Sequence, residues 1–266
     1  MRMNLHLLII DPQNDFCSPQ GALFVPGAPD DSKRSATLIN RLGSLITDIT
    51  VTLDSHYQLD IAHPLFWLDR DDRHPDPFTI ITPEDIDQGG FRPVNPDWQK
   101  RAERYVQQLA ASGRYPLCIW PPHCLIGTWG HNIQSDILEA IHGWERDNIR
   151  KAGIVTAGEN LWTEHYSKIQ AEVPDPDDPA TLPKLDLVKR LQQADTIAVL
   201  GQARSHCVAN TVRDLASHLP SGDIAKICLI EDCTSNVPGF ENLGDDFVRE
   251  MTIRGMRCST ASEFLR

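Results

Sequence analysis

The sequence lacks any apolar run long enough to cross a membrane as a helix. Its longest runs, residues 5–10 and 196–200, are far shorter than the ~20 residues that a spanning helix needs. A secretory leader is not expected either, because residues 5–10 run directly into Asp11 with no small-residue cleavage site behind them. The seven cysteines are odd in number and contain no C-x-x-C pair, so they do not indicate a disulfide framework. We therefore expect a reduced, soluble, cytoplasmic protein.

Positive charge is also scarce. Lysine and arginine number 25 against 37 aspartates and glutamates, which gives a formal net charge of −12. An anionic chain does not attract nucleic acid or an anionic membrane by bulk electrostatics, so neither is an expected partner. The hydrophobic fraction of 41% and the charged fraction of 23% are typical of a folded globular chain.

Short apolar segments alternate with longer amphipathic segments along most of the chain. The apolar segments predict strands at residues 5–11, 49–54, 116–120, 148–151, 196–201 and 226–232. Apolar residues at helical spacing predict helices at residues 32–46, 97–111, 132–144, 182–194, 207–218 and 242–254. This alternation favours an α/β fold in which a mostly parallel sheet of about six strands has helices on both faces.

Two stretches interrupt the alternation. Residues 63–115 are rich in proline, aspartate and arginine, and residues 172–183 are acidic and proline-rich. Strands of the same type are predicted on both sides of each stretch, so neither has the character of a linker. We predict one domain over residues 1–266, with insertions at about 63–115 and 172–183. These insertions either shape the site or serve as surface elaboration and oligomer contacts.

Side chains suited to catalysis follow several of the predicted strands. Ligands bind beyond the carboxyl ends of the strands in open parallel sheets, and those ends carry Asp11, Asp54, Trp120, Lys151 and the loop that contains Cys207. A carboxylate, a lysine and a cysteine can act there as base, cationic stabiliser and nucleophile. If a helix begins near Cys207, its dipole lowers the thiol pKa and its N–H groups can bind an oxyanion. The alternatives are a structural aspartate at a strand end and a buried core cysteine.

A second group of residues has the composition of a metal site. Asp54 and His56 lie two positions apart at a strand end and so point to the same face, and His123 follows the next predicted strand. One oxygen and two nitrogen ligands suit Zn²⁺, Fe²⁺ or Mn²⁺, with a position left for water or substrate. His63 and His74 are further candidate ligands. The alternative is that these histidines are structural or lie at the surface.

Five segments, in order along the chain, resemble nicotinamidases and the wider superfamily of isochorismatase-like cysteine hydrolases. They are IIDPQNDFCSPQGALFVPGA, TLDSH, WPPHCLIGTWG, RKAG followed by EHYSKI, and GQARSHCVANTVRDLA. The resemblance implies an isochorismatase-like (Rossmann-like) fold of three layers. It also implies a homo-oligomer, because relatives commonly form one.

The resemblance assigns roles to individual residues. In a catalytic triad, Asp11 corresponds to the general base, Lys151 to the catalytic lysine and Cys207 to the nucleophile. A cis peptide between Gln202 and Ala203 is implied, and the amides of Ala203 and Cys207 would form the oxyanion hole. The remaining correspondences are metal ligands at Asp54, His56, His123 and, in some members, His63, and aromatic residues that flank a planar substrate at Phe16 and Trp120.

The implied activity is cysteine-dependent amide hydrolysis. A small carboxamide is cleaved to acid and ammonia through a thioester, with nicotinamide converted to nicotinate as the first expectation, and a divalent metal ion (Zn, Fe or Mn) anchors the ring nitrogen. Two alternatives remain: a related cysteine hydrolase of another amide, carbamoyl or ureide substrate, and a catalytically retired relative that serves as a binding protein. The sequence departs from nicotinamidases at Ser205, where an acidic residue is usual, and in the length of residues 63–115.

Overall fold

A computed structural model describes residues 3–266 of the chain. Its strands are β1 (Leu5–Ile10), β2 (Ile46–Asp54), β3 (Trp67–Asp69), β4 (Ile80–Ile81), β5 (Phe91–Pro93), β6 (Leu117–Cys118), β7 (Gly153–Ala157), β8 (Thr196–Gly201), β9 (Ile227–Ile230) and β10 (Arg257–Ser259). Six of them form one sheet in the order β10-β9-β8-β1-β2-β7. Every neighbouring pair in this sheet is parallel, so the carboxyl ends of all six strands lie at one edge.

Helices connect the strands of the main sheet. In residues 3–266 the α-helices are α1 (Asn14–Cys17), α2 (Ala28–Leu42), α3 (Pro83–Asp87), α4 (Gln99–Ser112), α5 (Ser135–Asn148), α6 (Leu185–Gln192), α7 (Ala209–His218) and α8 (Glu241–Ile253). None of these helices is long and apolar enough to span a lipid bilayer.

The central strand β1 shows why helices cover both faces of the sheet. All of its residues are buried, and successive side chains of a strand point to opposite faces. Leu7 and Ile9 pack in one apolar cluster with residues of α2 and α5, whereas Leu8 and Ile10 pack in another with residues of α6, α7 and α8. The result is a helix–sheet–helix arrangement of three layers. The predicted α/β fold with a parallel sheet is therefore confirmed.

Two of the predicted strands are wrongly placed. Residues 116–120 contribute only β6, which pairs antiparallel with β4 outside the main sheet. Residues 148–151 are not a strand, because α5 continues to Asn148 and Ile149 ends it with a left-handed φ of 49°. The strand at this edge of the sheet is β7, whose residues 154–156 are β-branched and suit a pleated surface. The short strand β10 was not predicted.

The stretch 63–115 is packed rather than loose. Within it β3 pairs with β5, β4 pairs with β6, and α4 follows. Phe66 and Trp67 are fully buried in an apolar cluster that also contains Phe16 and Trp120. The second stretch, residues 172–183, contains one 3₁₀ turn at Pro179–Thr181, and the helix predicted after it begins at Leu185. The first stretch is thus continuous with a core that borders the candidate site.

Candidate active site

The carboxyl edge of the sheet brings together the residues that follow β1, β2 and β8. Asp11 follows β1 with a left-handed φ of 44°, and its backbone N–H donates to the carbonyl and hydroxyl oxygens of Thr52 at 3.2 and 3.1 Å. The Thr52 hydroxyl donates in turn to Asp11 Oδ1 at 2.6 Å. Strand β8 ends at Gly201, where a Cβ would lie 1.9 Å from the carbonyl oxygen of Ile10. The loop that leaves Gly201 therefore starts against the end of β1, and it carries Cys207.

A buried lysine, Lys168, contacts the carboxylates of both Asp11 and Asp54. Lys168 Nζ lies 3.0 Å from Asp11 Oδ2, donates to Asp54 Oδ1 at 2.6 Å, and donates to the carbonyl oxygen of His165 at 2.9 Å. The side chains of Lys168 and Asp11 are 0% exposed. A buried charge is tolerated when it is paired and hydrogen-bonded, and Lys168 meets both conditions.

Lys151, the lysine predicted for the triad, does not reach this group. It is exposed and precedes β7, so it lies at the amino end of a strand whose carboxyl end borders the site. A strand of five residues spans about 16 Å, which separates the two ends. The prediction placed the strand before Lys151 instead of after it. The ammonium group that contacts Asp11 and Asp54 is that of Lys168, in the segment EHYSKI that resembles nicotinamidases.

The segment that carries Lys168 has no regular secondary structure, and tertiary contacts hold it. The backbone N–H of Lys168 donates to Thr211 Oγ1 on α7 at 2.9 Å. The next residue, Ile169, is fully buried in the apolar cluster that contains Cys207 and Val208. Lys168 is therefore fixed to α7, the helix that follows the loop carrying Cys207. The available sequence signal for Lys168 is its place directly after the Tyr-Ser pair of EHYSKI, a segment that resembles nicotinamidases.

Burial and charge set the protonation of this group. Burial raises the pKa of the Cys207 thiol well above its ordinary value; Lys168 partly opposes the rise, and Asp11 adds to it. Burial also raises the pKa of Asp11, against the attraction of Lys168. Burial by itself would lower the pKa of Lys168, but Asp11 and Asp54 outweigh it and hold the pKa well above its ordinary value. The expectation that the helix dipole lowers the thiol pKa is therefore wrong, because burial dominates.

The three predicted metal ligands converge. Asp54 Oδ2 lies 3.0 Å from His56 Nε2 and 3.3 Å from His123 Nε2, and one ligand atom of each residue lies within 4.8 Å of the others. The second nitrogen of each ring has its own partner: His56 Nδ1 lies 3.0 Å from Asp60 Oδ2, and His123 Nδ1 lies 2.8 Å from the carbonyl oxygen of Pro121. Such partners orient an imidazole so that its free nitrogen faces a metal ion.

A third imidazole borders this cluster. The His63 ring centroid lies 5.2 Å from that of His56 and 5.6 Å from that of His123. Both nitrogens of His63 are buried and have no hydrogen-bond partner among residues 3–266, which is costly unless a ligand uses them. The oxygen and nitrogen donors and the unpartnered imidazole together fit a divalent metal ion. His74 does not approach the cluster; it is exposed, and its Nδ1 contacts the carbonyl oxygen of Trp67 at 2.8 Å.

Two further acidic residues lie beside the predicted metal ligands. Asp60 and Glu164 form a second group of converging ligand atoms with His56. Burial raises the pKa of Glu164 to about 8, and its Oε1 has no hydrogen-bond partner. Neither residue lies at the end of a predicted strand; Glu164 begins the segment EHYSKI that resembles nicotinamidases, whereas Asp60 lies in none of the five segments.

A narrow cavity of about 30 Å³ is lined by Cys207 and by two of the predicted metal ligands, Asp54 and His123. The Trp120 indole N–H donates to the Tyr166 hydroxyl at 3.0 Å, and the Phe16 ring meets the His123 ring at 5.5 Å. The peptide between Gln202 and Ala203 is cis, as the resemblance implies. The lining combines aromatic and apolar side chains with the reactive groups: Phe16, Leu23, Asp54, Trp120, His123, Glu164, His165, Tyr166, Ala203, His206, Cys207 and Val237.

The chain is similar to nicotinamidases both in its sequence and in its structure. The chain is 26% identical over 215 residues to the nicotinamidase of Saccharomyces cerevisiae, which covers 77% of this chain and 78% of the relative. The yeast nicotinamidase bound to the inhibitor nicotinaldehyde superposes with a TM-score of 0.65 at 17% identity, over 96% of this chain and 99% of that chain. A nicotinamidase/pyrazinamidase of Acinetobacter baumanii gives 0.65 at 20% identity, over 99% of each chain. A pyrazinamidase of Pyrococcus horikoshii in complex with zinc gives 0.56 at 18%, over 97% and 99%.

These similarities confirm the resemblance predicted from the five motifs. The chain has the isochorismatase-like fold of the nicotinamidases, and its similarity to them extends over nearly its whole length. No known family profile matches the sequence.

Proposed function

We propose that this chain is a cysteine amidohydrolase that cleaves a small planar carboxamide, nicotinamide in the first place, to the acid and ammonia. The observation that carries the proposal is the buried ion pair of Lys168 with Asp11 and Asp54, beside a cavity that Cys207 lines. A carboxylate that accepts a proton, a cation that stabilises it and a thiol are the groups that acyl transfer to a cysteine requires. The similar proteins are nicotinamidases and pyrazinamidases by name, and this favours an aromatic carboxamide as the substrate.

The first half of the reaction forms a thioester. Asp11 takes the proton of the Cys207 thiol, and the sulfur attacks the carboxamide carbon. The carbonyl oxygen becomes an oxyanion, which the backbone N–H groups of Ala203 and Cys207 stabilise. Asp11 then gives its proton to the leaving nitrogen, so the C–N bond breaks and ammonia departs. Lys168 keeps its charge throughout and stabilises the carboxylate form of Asp11.

The second half of the reaction hydrolyses the thioester. Water attacks the acyl carbon while Asp11 accepts one of its protons, and the same N–H groups stabilise the second oxyanion. The C–S bond breaks, the thiolate of Cys207 recovers its proton from Asp11, and the acid is released. Burial raises the pKa values of both Asp11 and Cys207, and Lys168 opposes the rise at each group.

Asp54, His56 and His123 are the residues we propose as metal ligands, with His63 as a further ligand. A bound divalent ion would accept the lone pair of a ring nitrogen and so orient a heteroaromatic substrate. The donor set suits Zn²⁺, Fe²⁺ and Mn²⁺, and zinc is the ion in the similar pyrazinamidase of Pyrococcus horikoshii. Phe16 and Trp120 would flank the substrate ring, and the cavity of about 30 Å³ must widen to admit that ring.

The direct test is ammonia release by the purified protein from nicotinamide, pyrazinamide, benzamide and a ureide. We expect turnover of the aromatic carboxamides, and a loss of roughly 10⁴-fold or more in kcat for Cys207→Ala. Cys228→Ala, which removes a buried thiol from β9, is the matched control and should keep its activity. Alkylation of Cys207 should also inactivate the protein. It is measured in a Cys258→Ser variant, because Cys258 is exposed and would react as well. Turnover of the ureide alone would move the substrate to that class, and full activity of Cys207→Ala would exclude the proposal.

The single domain over residues 1–266, the homo-oligomer and the cytoplasmic location stay predictions from the sequence. They are compatible with the proposed enzyme but are independent of its mechanism.

A further inference from the structure

The residue before the nucleophile, His206, takes no part in the reaction scheme above. It lines the same cavity as Cys207 and is 4% exposed. Its ring is stacked on Tyr115, with centroids 5.1 Å apart and planes at 24°. Three more aromatic rings surround it at 4.9–5.5 Å, those of Trp120, Tyr166 and Phe240. An imidazole is the one ring in this group that carries two nitrogens, so its polar atoms need partners.

The neighbouring serine fixes which nitrogen of His206 carries the proton. In the described part of the chain, Ser205 Oγ accepts a hydrogen bond from the backbone N–H of Val237 at 3.1 Å and lies 2.9 Å from His206 Nδ1. Ser205 is fully buried, and the proton of its hydroxyl needs an acceptor. Nδ1 is the acceptor within reach, so the proton of the neutral imidazole lies on Nε2. Burial lowers the pKa of His206 to about 4, which keeps the ring neutral near pH 7.

The position of this ring is held from two sides. The Tyr115 hydroxyl donates to the carbonyl oxygen of Ser205 at 2.9 Å, and the backbone N–H of Arg204 donates to the carbonyl oxygen of Ser235 at 2.7 Å. Tyr115 is the last residue of the 63–115 stretch, so that stretch packs against His206, a residue of the cavity wall. With Nδ1 committed to Ser205, Nε2–H is the polar group that His206 has left to offer to a molecule in the cavity.

We propose that His206 is a specificity-determining residue, whose Nε2–H donates a hydrogen bond to an acceptor atom on the ring of the carboxamide substrate. The inference rests on the proposed amidohydrolase function and names its substrate class more closely. The single ring nitrogen of nicotinamide is assigned to the metal ion, so a carboxamide with a second ring acceptor would gain a contact with His206 that nicotinamide does not make. His206 lines the cavity, so a substrate whose ring acceptor meets Nε2–H there gains a hydrogen bond that a substrate without that acceptor lacks.

The experiment compares nicotinamide with three diazine carboxamides, pyrazine-2-, pyridazine-4- and pyrimidine-5-carboxamide. Each diazine keeps the ring nitrogen meta to the carboxamide and adds a second nitrogen at the ortho, para or other meta position. Steady-state kcat/KM is measured for the wild type and for His206→Phe, which keeps an aromatic ring but removes both nitrogens. We expect His206→Phe to lower kcat/KM for one of the diazines roughly 10- to 100-fold more than for nicotinamide.

Two further variants separate hydrogen bonding from packing. His206→Gln keeps an N–H donor and should retain part of the diazine preference, whether or not His206→Phe folds. Ser205→Ala removes the group that holds the proton on Nε2 and should weaken the preference, with nicotinamide little affected. A fall by one common factor for all four carboxamides in every variant would overturn the inference and leave the amidohydrolase proposal intact. Failure of the wild type to hydrolyse any carboxamide would overturn both.

Discussion

Lys168 neutralises two carboxylates at once. Asp11 and Asp54 both contact its ammonium group, and all three side chains are buried. Without a cation between them, two buried carboxylates would repel each other and one would take up a proton. In the proposed reaction the lysine keeps Asp11 available as a proton acceptor. Burial by itself would raise the pKa of Asp54, but Lys168 and His56 outweigh it and hold that pKa well below its ordinary value.

Lys168 and Lys151 form a matched pair for testing this role. We expect Lys168→Met, which keeps the length of the side chain, to lower kcat by roughly 10³-fold or more, since the triad acts as a unit. Lys151→Met changes an exposed lysine and should leave kcat within about twofold of the wild type. Steady-state ammonia release measures both.

Thermal unfolding of the two lysine variants serves as the control for folding. Removal of one partner of a buried pair costs about 3–5 kcal/mol, so activity is compared at a temperature where both variants are folded. Equal activity of the two variants would show that Lys168 has only a structural role.

The sequence identified those site residues that directly follow well-formed strands. Asp11 and Asp54 end apolar runs that the structure keeps as β1 and β2, and Cys207 follows β8 in the predicted loop. Lys168 was missed because it follows no strand and because its segment has neither helical nor strand periodicity. Its position depends on Thr211 and on the burial of Ile169, and these tertiary contacts leave no local pattern in the sequence.

At the scale of elements, the irregular segment between β7 and α6 is ordered by backbone hydrogen bonds to itself and to α4. The N–H of Glu164 donates to the Tyr105 hydroxyl on α4 at 3.1 Å, and the N–H of Glu172 donates to the carbonyl oxygen of Glu164 at 2.9 Å. Such a segment buries carboxyl groups that a strand or a helix would leave at the surface. The Glu172 side chain is 1% exposed and lies 3.7 Å from Arg114.

Glu172 makes the stability of this segment depend on pH. Burial raises its pKa from 4.5 to about 7, although Arg114 opposes the rise. Between these pH values the unfolded chain has lost the proton while the folded chain keeps it, so the contribution of Glu172 to stability falls as pH rises and then levels off. The free energy of unfolding of Glu172→Gln, relative to that of the wild type, should therefore rise by about 2 kcal/mol when the pH is raised from 5.5 to 8.

Urea unfolding at several pH values measures this difference. Glu139→Gln removes one charge from an exposed position on α5 and is the matched control. A gain for Glu172→Gln that is the same at pH 5.5 and pH 8 would show that the carboxyl group of Glu172 titrates alike in the folded and unfolded chains.

At the scale of the whole molecule, the proposed metal ligands come from two distant parts of the sequence. Asp54 ends β2 and His56 follows it, whereas His123 lies in the loop after β6. The backbone links the same two parts, because the N–H of His56 donates to the carbonyl oxygen of Cys124 at 3.1 Å. An ion bound by all three side chains would therefore require the native arrangement and would bind the folded chain in preference to the unfolded one.

Metal binding is thus expected to stabilise the fold. A ligand that binds only the folded state at 100 times its Kd adds about 2.7 kcal/mol to the free energy of unfolding. After treatment with a chelator, added Zn²⁺ should raise the Tm of the wild type but not that of His56→Ala or His123→Ala. His142→Ala alters an exposed histidine on α5 and should respond as the wild type does. A rise in Tm that is equal in all four proteins would mean that the ion binds elsewhere.

The register of β2 and β7 has a consequence for how such sites are recognised. Ala157, the last residue of β7, lies beside Asp54 in that register, yet the ammonium that contacts Asp54 belongs to Lys168, further along the chain. The ammonium group therefore reaches the carboxylate at the end of β2 from a segment outside the sheet. A search that requires a lysine at the strand end would count this site as broken. A search that asks which side chain reaches both carboxylates would find it intact.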